Sequence, residues 1–560
     1  MNKNFIRISF TLMAMAVLPS CSPDSEKADI LFTNGNIYTV DKDFSKASLI
    51  AVKDDKILYA GTDAEAARQL TSSRTRIVDL GGKTVIPGII ESHLHYMDLG
   101  ESLSAIDIYE KSKADILKAV AEEAGKLQPG EWIVSSGWSQ EVWDEARWPL
   151  REELDAVAPD NPVCLFRKDG HSAWVNSKAL EVARITSATP DPQGGEILRT
   201  PSGEPAGILI DTAMDGVSAA FPAPSDEKKL AFYRRADDEL LNFGITSLMD
   251  AGTGYENIKL LKDAYDRGLL RVRAYELLSE GEDVRYLADG NRPALDLCGG
   301  KLSVNAVKFY TDGSLGSRSA WFLEEYNDRK GHCGNPRYTD DEFYERVKRA
   351  GNEGFQVATH AIGDAAVRQT IDIYEKVLAE NPSADHRYRI EHFQNVCPPD
   401  FDRLIRNGII ASMQSVHATS DMAFAEARIG ASRVLNAYAW RTIIDRGGII
   451  PNGSDAPVEY VNPYHGFYAA VTRRNLQGEP AGGWYPQLCM TREEALKSFT
   501  IWGAFAMFGE KVKGSIEAGK YADFAVLDRD IMTCSENELK DAKALMTVLG
   551  GKIVMEKFQY

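Results

Sequence analysis

His93 and His95 stand one residue apart at the end of the apolar run Val85-Ile86-Pro87-Gly88-Ile89-Ile90. Such a run reads as a buried strand. Its period of two puts both imidazoles on one side, where they can grip one metal ion from two directions. A His-x-His pair alone is a weak indication, and its company strengthens it. Gln356-Val357-Ala358-Thr359 ends at His360, and Tyr388-Arg389-Ile390-Glu391 ends at His392. The run from Val304 to Tyr310 carries Lys308, and Ile449-Ile450-Pro451-Asn452-Gly453-Ser454 ends at Asp455. The chain has nine histidines, and four of them fall at predicted strand ends, where a random scatter would not put them. Singly, each could be a hydrogen-bonded, partly buried histidine. As a set they point to metal. Asp455 could also serve as a helix cap, since Ser454-Asp455-Ala456-Pro457 can open a helix.

The elements that must position these residues alternate apolar runs with helical stretches, the βα pattern of a parallel barrel. Further candidate strands are 244–250, 272–277 and 409–414, which with those above make eight. The expected fold class is α/β, a (β/α)8 TIM-like barrel. In such a barrel functional groups sit at the C-terminal ends of the strands. Between the first and second strands lie about 140 residues, far more than an ordinary βα connection. This insertion, at about 100–240, carries Trp132, Trp138, Trp143, Trp148 and Trp174 and reads as a subdomain over the barrel mouth. Its tryptophans fit the core of that cover better than a substrate platform. Residues 28–84 read as short strands around turns such as Asn34-Gly35. Residues 512–560 look alike, so a small β-sandwich domain built from both termini is expected to flank the barrel of 85–511.

The 560 residues are 44% hydrophobic with a net charge of -18. That length implies more than one domain, or a large barrel with additions. The acidic balance disfavours nucleic acid and anionic membrane surfaces as partners. Lys3 and Arg7 precede an apolar stretch, Ile8 to Leu18, too short to span a bilayer as a mature anchor. Leu18-Pro19-Ser20-Cys21 follows. It resembles a bacterial lipoprotein signal over 1–20, with lipid added to Cys21 and 21–27 as a tether. The other reading is an ordinary secretory signal with a chance cysteine. The location expected is the bacterial cell envelope, lipid-anchored and either periplasmic or surface-exposed. The other six cysteines form no C-x-x-C pair, so neither a structural zinc site nor a redox motif is indicated.

Three residues are candidates for contacting substrate. His171 lies in the insertion and could reach the substrate or pack in the cover. Arg318, after two glycines, could hold a substrate carboxylate or pair with an acidic neighbour. His417 follows the seventh strand and could face the pocket.

The whole arrangement resembles the amidohydrolase superfamily, in the branch similar to YtcJ-like proteins and N-substituted formamide deformylases. The matching segments are 87–95 (Pro-Gly-Ile-Ile-Glu-Ser-His-Leu-His), 170–180, 203–209, 307–320 (beginning Val-Lys-Phe-Tyr-Thr-Asp-Gly), 359–366, 389–394 (Arg-Ile-Glu-His-Phe-Gln) and 453–458 (Gly-Ser-Asp-Ala-Pro-Val). The resemblance implies that His93 and His95 bind a first metal, and His360 and His392 a second. Lys308 would be carbamylated and bridge them, because an ammonium has no lone pair and a carbamate is a two-oxygen donor; the other reading is a plain lysine paired with an acid such as Asp312. The cofactors implied are one or two divalent ions, zinc foremost. Asp455 would bind metal and act as general base, then acid.

The function expected is metal-dependent hydrolysis of a C–N bond, amide or formamide type, in a small molecule. Two alternatives stand beside it. One is another reaction on the same scaffold, such as ester hydrolysis, deamination, isomerisation or decarboxylation. The other is a lipid-anchored binding protein without turnover. Mononuclear deaminases of the superfamily resemble one another in a His-x-x-Glu after strand five. Here His360 is followed by Ala361-Ile362-Gly363-Asp364, which argues against deamination. The expected partners are a small-molecule amide and a membrane through the lipid anchor; a homo-oligomer remains open.

Overall fold

A computed structural model describes residues 27–557, except 110, 139, 141, 142, 146, 168–171, 193, 194, 317, 383 and 384. The expected signal, Cys21 and His171 lie outside the described residues. Among the described residues no helix is long and apolar enough to cross a membrane.

Seven parallel strands form the barrel: β1 (Ile89–Leu94), β2 (Ile245–Thr253), β3 (Arg273–Ser279), β4 (Leu302–Tyr310), β5 (Gln356–Ala361), β6 (Arg389–His392) and β7 (Ile410–Ser412). They are hydrogen-bonded in sequence order. The eighth run does not form a regular strand. It closes the barrel through single contacts instead. Asn452 pairs with Met413 as an isolated parallel bridge. Ser92 N donates to Asn452 O at 3.1 Å, Met413 N to Pro451 O at 3.1 Å, and Asp455 N to His93 O at 2.7 Å. Space sets this outcome at Gly453. A Cβ there would lie 2.4 Å from Glu91 Oε1 and 2.6 Å from His93 N, so only glycine lets the segment come so close to β1.

The helices between strands follow from apolar spacing and caps. In Asp340–Asn352, Phe343, Val347 and Ala350 turn inward, the i, i+4, i+7 pattern of an amphipathic helix. Thr339 and Glu342 form a capping box at its start, which satisfies backbone N–H groups that have no partner inside the helix.

The apolar run expected to be one strand is two. Thr84–Pro87 pairs antiparallel with Phe524–Leu527 in a six-stranded sheet, and only after Gly88 does β1 begin. Gly88 packs on Thr246, whose Oγ1 would be 2.1 Å from an added Cβ. This sheet joins both ends of the chain. A four-stranded sheet of Lys56–Gly61, Leu49–Lys53, Ile30–Thr33 and Arg76–Asp79 accompanies it. Phe32, Ile50 and Val78 of the second share one buried cluster with Val85, Phe524 and Val548 of the first. Phe32 and Phe524 meet edge to face at 5.0 Å.

The insertion folds as a five-stranded sheet containing Ile133–Trp138, Val163–Arg167, Ser172–Val175, Gly195–Arg199 and Pro205–Asp211. Trp138, Trp143 and Trp174 are buried in its core, with Trp138 and Trp143 rings stacked at 5.8 Å.

Candidate metal centre

β1 carries Glu91 and His93 two residues apart, so both point into the barrel. β6 does the same with Arg389 and Glu391. These four side chains are fully or almost fully buried. Arg389 donates to both oxygens of Glu391, at 2.7 and 3.0 Å, to Ser92 O and to Ser412 Oγ, both at 2.9 Å. Glu391 Oε2 in turn accepts from His93 Nδ1 at 2.6 Å. Burial alone would raise the Glu391 carboxyl, but Arg389 and the His93 bond hold it well below the usual range. A carboxylate accepting at Nδ1 fixes the imidazole tautomer and leaves Nε2 as the ligand atom.

Three further groups converge on that Nε2. Asp455 Oδ1 lies 3.4 Å away, and Lys308 Nζ, at the end of β4, lies 3.5 Å away. His95, which starts the helix Tyr96–Ser104, places its Nε2 3.3 Å from the same Asp455 oxygen. Two ligands, each about 2.1 Å from a tetrahedral ion, are about 3.4 Å apart, so these spacings fit one divalent cation. The donor set fits as well. Asp455 Oδ1 is buried and has no hydrogen-bond partner, a costly state for a carboxylate oxygen unless a cation compensates it. Burial, and then the charge of Lys308, push His93 down to about 4, so its imidazole is neutral and free to bind metal near pH 7.

On the other side of Asp455 lie His392, His417 and His360. His392 Nδ1 meets Gln414 Oε1 at 2.8 Å and Asp455 Oδ2 at 4.0 Å. His417, in the short helix after β7, has Nε2 3.9 Å from Asp455 Oδ2. His360 and His392 rings are 4.5 Å apart. Burial would raise the Asp455 carboxyl, but His93, His95, His392 and His417 together hold it well below the ordinary carboxylate value. His392 and Asp455 both have positive φ, 72° and 61°, a region that non-glycine residues enter at a cost and that clusters at functional sites.

His93, His95, Lys308, His360, His392, His417 and Asp455 are therefore brought together. Arg318 is not. Its guanidinium is committed to Asp328, at 3.2 and 2.9 Å. Of its two expected roles, pairing with an acidic neighbour is the one observed. Arg389, Glu391, Glu91 and Gln414 join the site without being marked by residue type at a strand end. The i, i+2 spacing of Glu91 with His93, and of Arg389 with Glu391, was the available signal.

A model of the amidohydrolase family (Amidohydro_3) matches residues 76–555. Putative amidohydrolase YtcJ of Bacillus subtilis is 30% identical, over 94% of this chain and 99% of its own. N-substituted formamide deformylase of Arthrobacter pascens is 28% identical over 95% and 99%. The crystal structure of an uncharacterized metal-dependent hydrolase from Pyrococcus furiosus superposes with a TM-score of 0.76 and 28% identity, covering 90% of this chain and all of that one.

The link from Arg389 through Glu391 to His93 is testable. Glu391→Gln keeps the shape but leaves Arg389 short of a charge partner. Loss of such an outer partner typically costs about 10- to 100-fold in metal affinity. Zinc affinity by chelator competition should fall by that factor, with a lower unfolding midpoint. Unchanged affinity would mean that Glu391 does not orient His93.

Proposed function

The chain belongs to the amidohydrolase family, and from that premise we propose that it hydrolyses the C–N bond of a small-molecule amide, N-acyl or formamide in type, at a zinc-type centre. The observation that carries this is the unpartnered, buried Asp455 Oδ1, set 3.4 and 3.3 Å from two imidazole nitrogens at the C-terminal end of a parallel barrel. The formamide class is suggested by the relative named N-substituted formamide deformylase.

A bound divalent ion would lower the pKa of a water molecule towards neutrality and polarise the substrate carbonyl. The protein's own part in the reaction falls to Asp455. Its carboxylate is held ionised, the state needed to take a proton from the attacking water. As the new C–O bond forms and the C–N bond breaks, that proton passes to the departing nitrogen. A carboxyl group of low pKa is a strong acid once protonated, which suits the second transfer.

Lys308 is buried, and burial pushes its amine down to about 8. A substantial neutral fraction is then available near neutral pH to add carbon dioxide. The resulting carbamate would offer two oxygens beside His93.

The N-terminal segment supports a lipid anchor on Cys21, which would hold the enzyme at the bacterial envelope. One acyl chain binds a membrane only marginally, so the anchor would need more than one.

Three outcomes follow from this reading. Chelated, metal-free protein should not turn over an amide, and Asp455→Asn should lose about 10²-fold or more in kcat. The loss should be smaller on an activated aryl ester, whose phenolate leaves without a proton. Equal losses on ester and amide would reduce Asp455 to a ligand, and full turnover without metal would end the hydrolase mechanism proposed here. For Lys308, reconstitution in buffer freed of carbon dioxide should give low activity that bicarbonate restores; insensitivity to bicarbonate would argue for a plain lysine. For the anchor, the native protein should fractionate with membranes and Cys21→Ala should be released, whereas a membrane-bound Cys21→Ala protein would place the anchor elsewhere.

A further inference from the structure

The strands of the barrel carry side chains inward at alternate positions. Tyr275 and Leu277 of β3, Ala306 of β4 and Ala358 of β5 share one buried cluster. The next inward places towards the mouth are Ser279 on β3, Lys308 and then Tyr310 on β4, and His360 on β5. Phe309, between Lys308 and Tyr310, instead meets Phe343 of an outer helix at 6.2 Å. Tyr310 therefore stands one row above Lys308, whose Nζ lies 4.9 Å from the centre of its ring. The centre of the His360 ring lies 5.5 Å from it.

Arg337 completes this wall. Its backbone N–H donates to Thr311 O at 3.0 Å, and Thr311 is tied to His360 O by its N–H, at 3.0 Å, and by its hydroxyl, at 2.8 Å. The residue is thus fixed on the end of β4. Its guanidinium carbon lies 5.5 Å from the centre of the Tyr310 ring, within cation–π range. Neighbouring arginines are committed elsewhere, Arg346 to Glu280 at 2.6 Å and Arg349 to Asp283 at 2.9 Å. The Arg337 guanidinium has no acid and no hydrogen-bond acceptor among the described residues. The hydroxyls of Tyr310 and Ser279 are likewise without a hydrogen-bond partner there. Gly252 leaves room beside both, for a Cβ on it would lie 3.4 Å from Ser279 Oγ and 3.5 Å from the Tyr310 hydroxyl.

We propose that Arg337, Tyr310 and Ser279 form a carboxylate-binding wall of the reaction pocket, and that the substrate is an amide whose amine half carries a carboxylate, as in an N-formyl or N-acyl amino acid. A guanidinium only donates, and its planar fork matches a carboxylate through two hydrogen bonds. The two hydroxyls can donate to the same group. An uncharged, apolar substituent placed here would strip water from three donors and return no acceptor, which costs free energy. The reacting carbonyl belongs one row deeper, beside Lys308 and His93. In a formamide the acyl half is a single carbon, so the amine half is the part long enough to reach from that row to Tyr310. The inference rests on the hydrolase reading above and narrows its substrate class.

The probes are the N-formyl derivatives of alanine, leucine and phenylalanine, in both enantiomers, and the same compounds with the carboxylate converted to a carboxamide. Turnover is read as released formate, and binding by calorimetry, on full-length, zinc-reconstituted protein. In wild type at least one acid should exceed its carboxamide in kcat/KM, chiefly through KM. Arg337→Met should keep its bound metal, lose about 10- to 100-fold in kcat/KM on that acid, and bring the ratio of acid to carboxamide close to one. Arg337→Lys, which keeps the charge without the fork, should recover part of the preference, and Tyr310→Phe should lose a smaller part of it. Arg337→Gln replaces the methionine variant if that one fails to fold. A ratio near one in wild type, or a preference that survives loss of the guanidinium, overturns the proposal and leaves the hydrolase reading standing. Binding of the acids that depends on Arg337, with no formate released from any compound, keeps the carboxylate site and removes the formamide-hydrolase reading. Failure of every acid to bind or turn over overturns the proposal.

Discussion

The ion pair of Arg389 and Glu391 is the constraint from which the site is built. Neither side chain has any exposure, so each charge is tolerable only because of the other. Breaking such a pair from one side costs about 3–5 kcal/mol. The guanidinium also reaches Ser92 O in β1 and Ser412 Oγ in β7. One buried cation thereby joins the first, sixth and seventh strands at the depth where His93 must be held. The carboxylate it neutralises is the group that accepts the hydrogen bond from His93 Nδ1. Orientation of a ligand and closure of the barrel come from the same contact.

Closure is completed by backbone rather than by a regular ladder. The segment from Pro451 to Asp455 bonds to β1 on one side and to the end of β7 on the other. Asn452 adds its side chain, accepting from Ser415 N at 3.1 Å. Ser415 begins the helix that carries His417. Asp455 thus stands where one short segment ties together the two parts of the chain that bear the flanking histidines. Its left-handed backbone is tolerated because the hydrogen bonds on both sides of it leave little choice.

The ligand residues were legible because their types are rare and their places follow a rule: in a parallel barrel, chemistry sits at strand ends. The sequence could not show that Val85 and Ile90 belong to different sheets, because an apolar run buried on both sides looks the same in either. The eighth run reads as a strand by composition. Only the tight approach of Gly453 to Glu91 and His93 shows why it does not pair regularly. Arg389 and Glu391 escaped notice because charges inside a barrel run against hydrophobic patterning. Arg318 could not be assigned from sequence, since Asp328 and a substrate carboxylate would satisfy a guanidinium equally well.

The sheet shared by the two termini also bears on the order in which the chain can be assembled. Thr84–Pro87 leads into the first barrel strand, yet its partner, Phe524–Leu527, is made only after the whole barrel has been synthesised. Until then Thr84–Pro87 has one open edge, and edges of this kind recruit other chains. Contacts so distant in sequence also form slowly. The last part of the chain is therefore less an appendage than the closing clasp of the catalytic domain. A chain released before residues 524–527 are made would carry this apolar strand paired on one edge only, against Asn36–Tyr38.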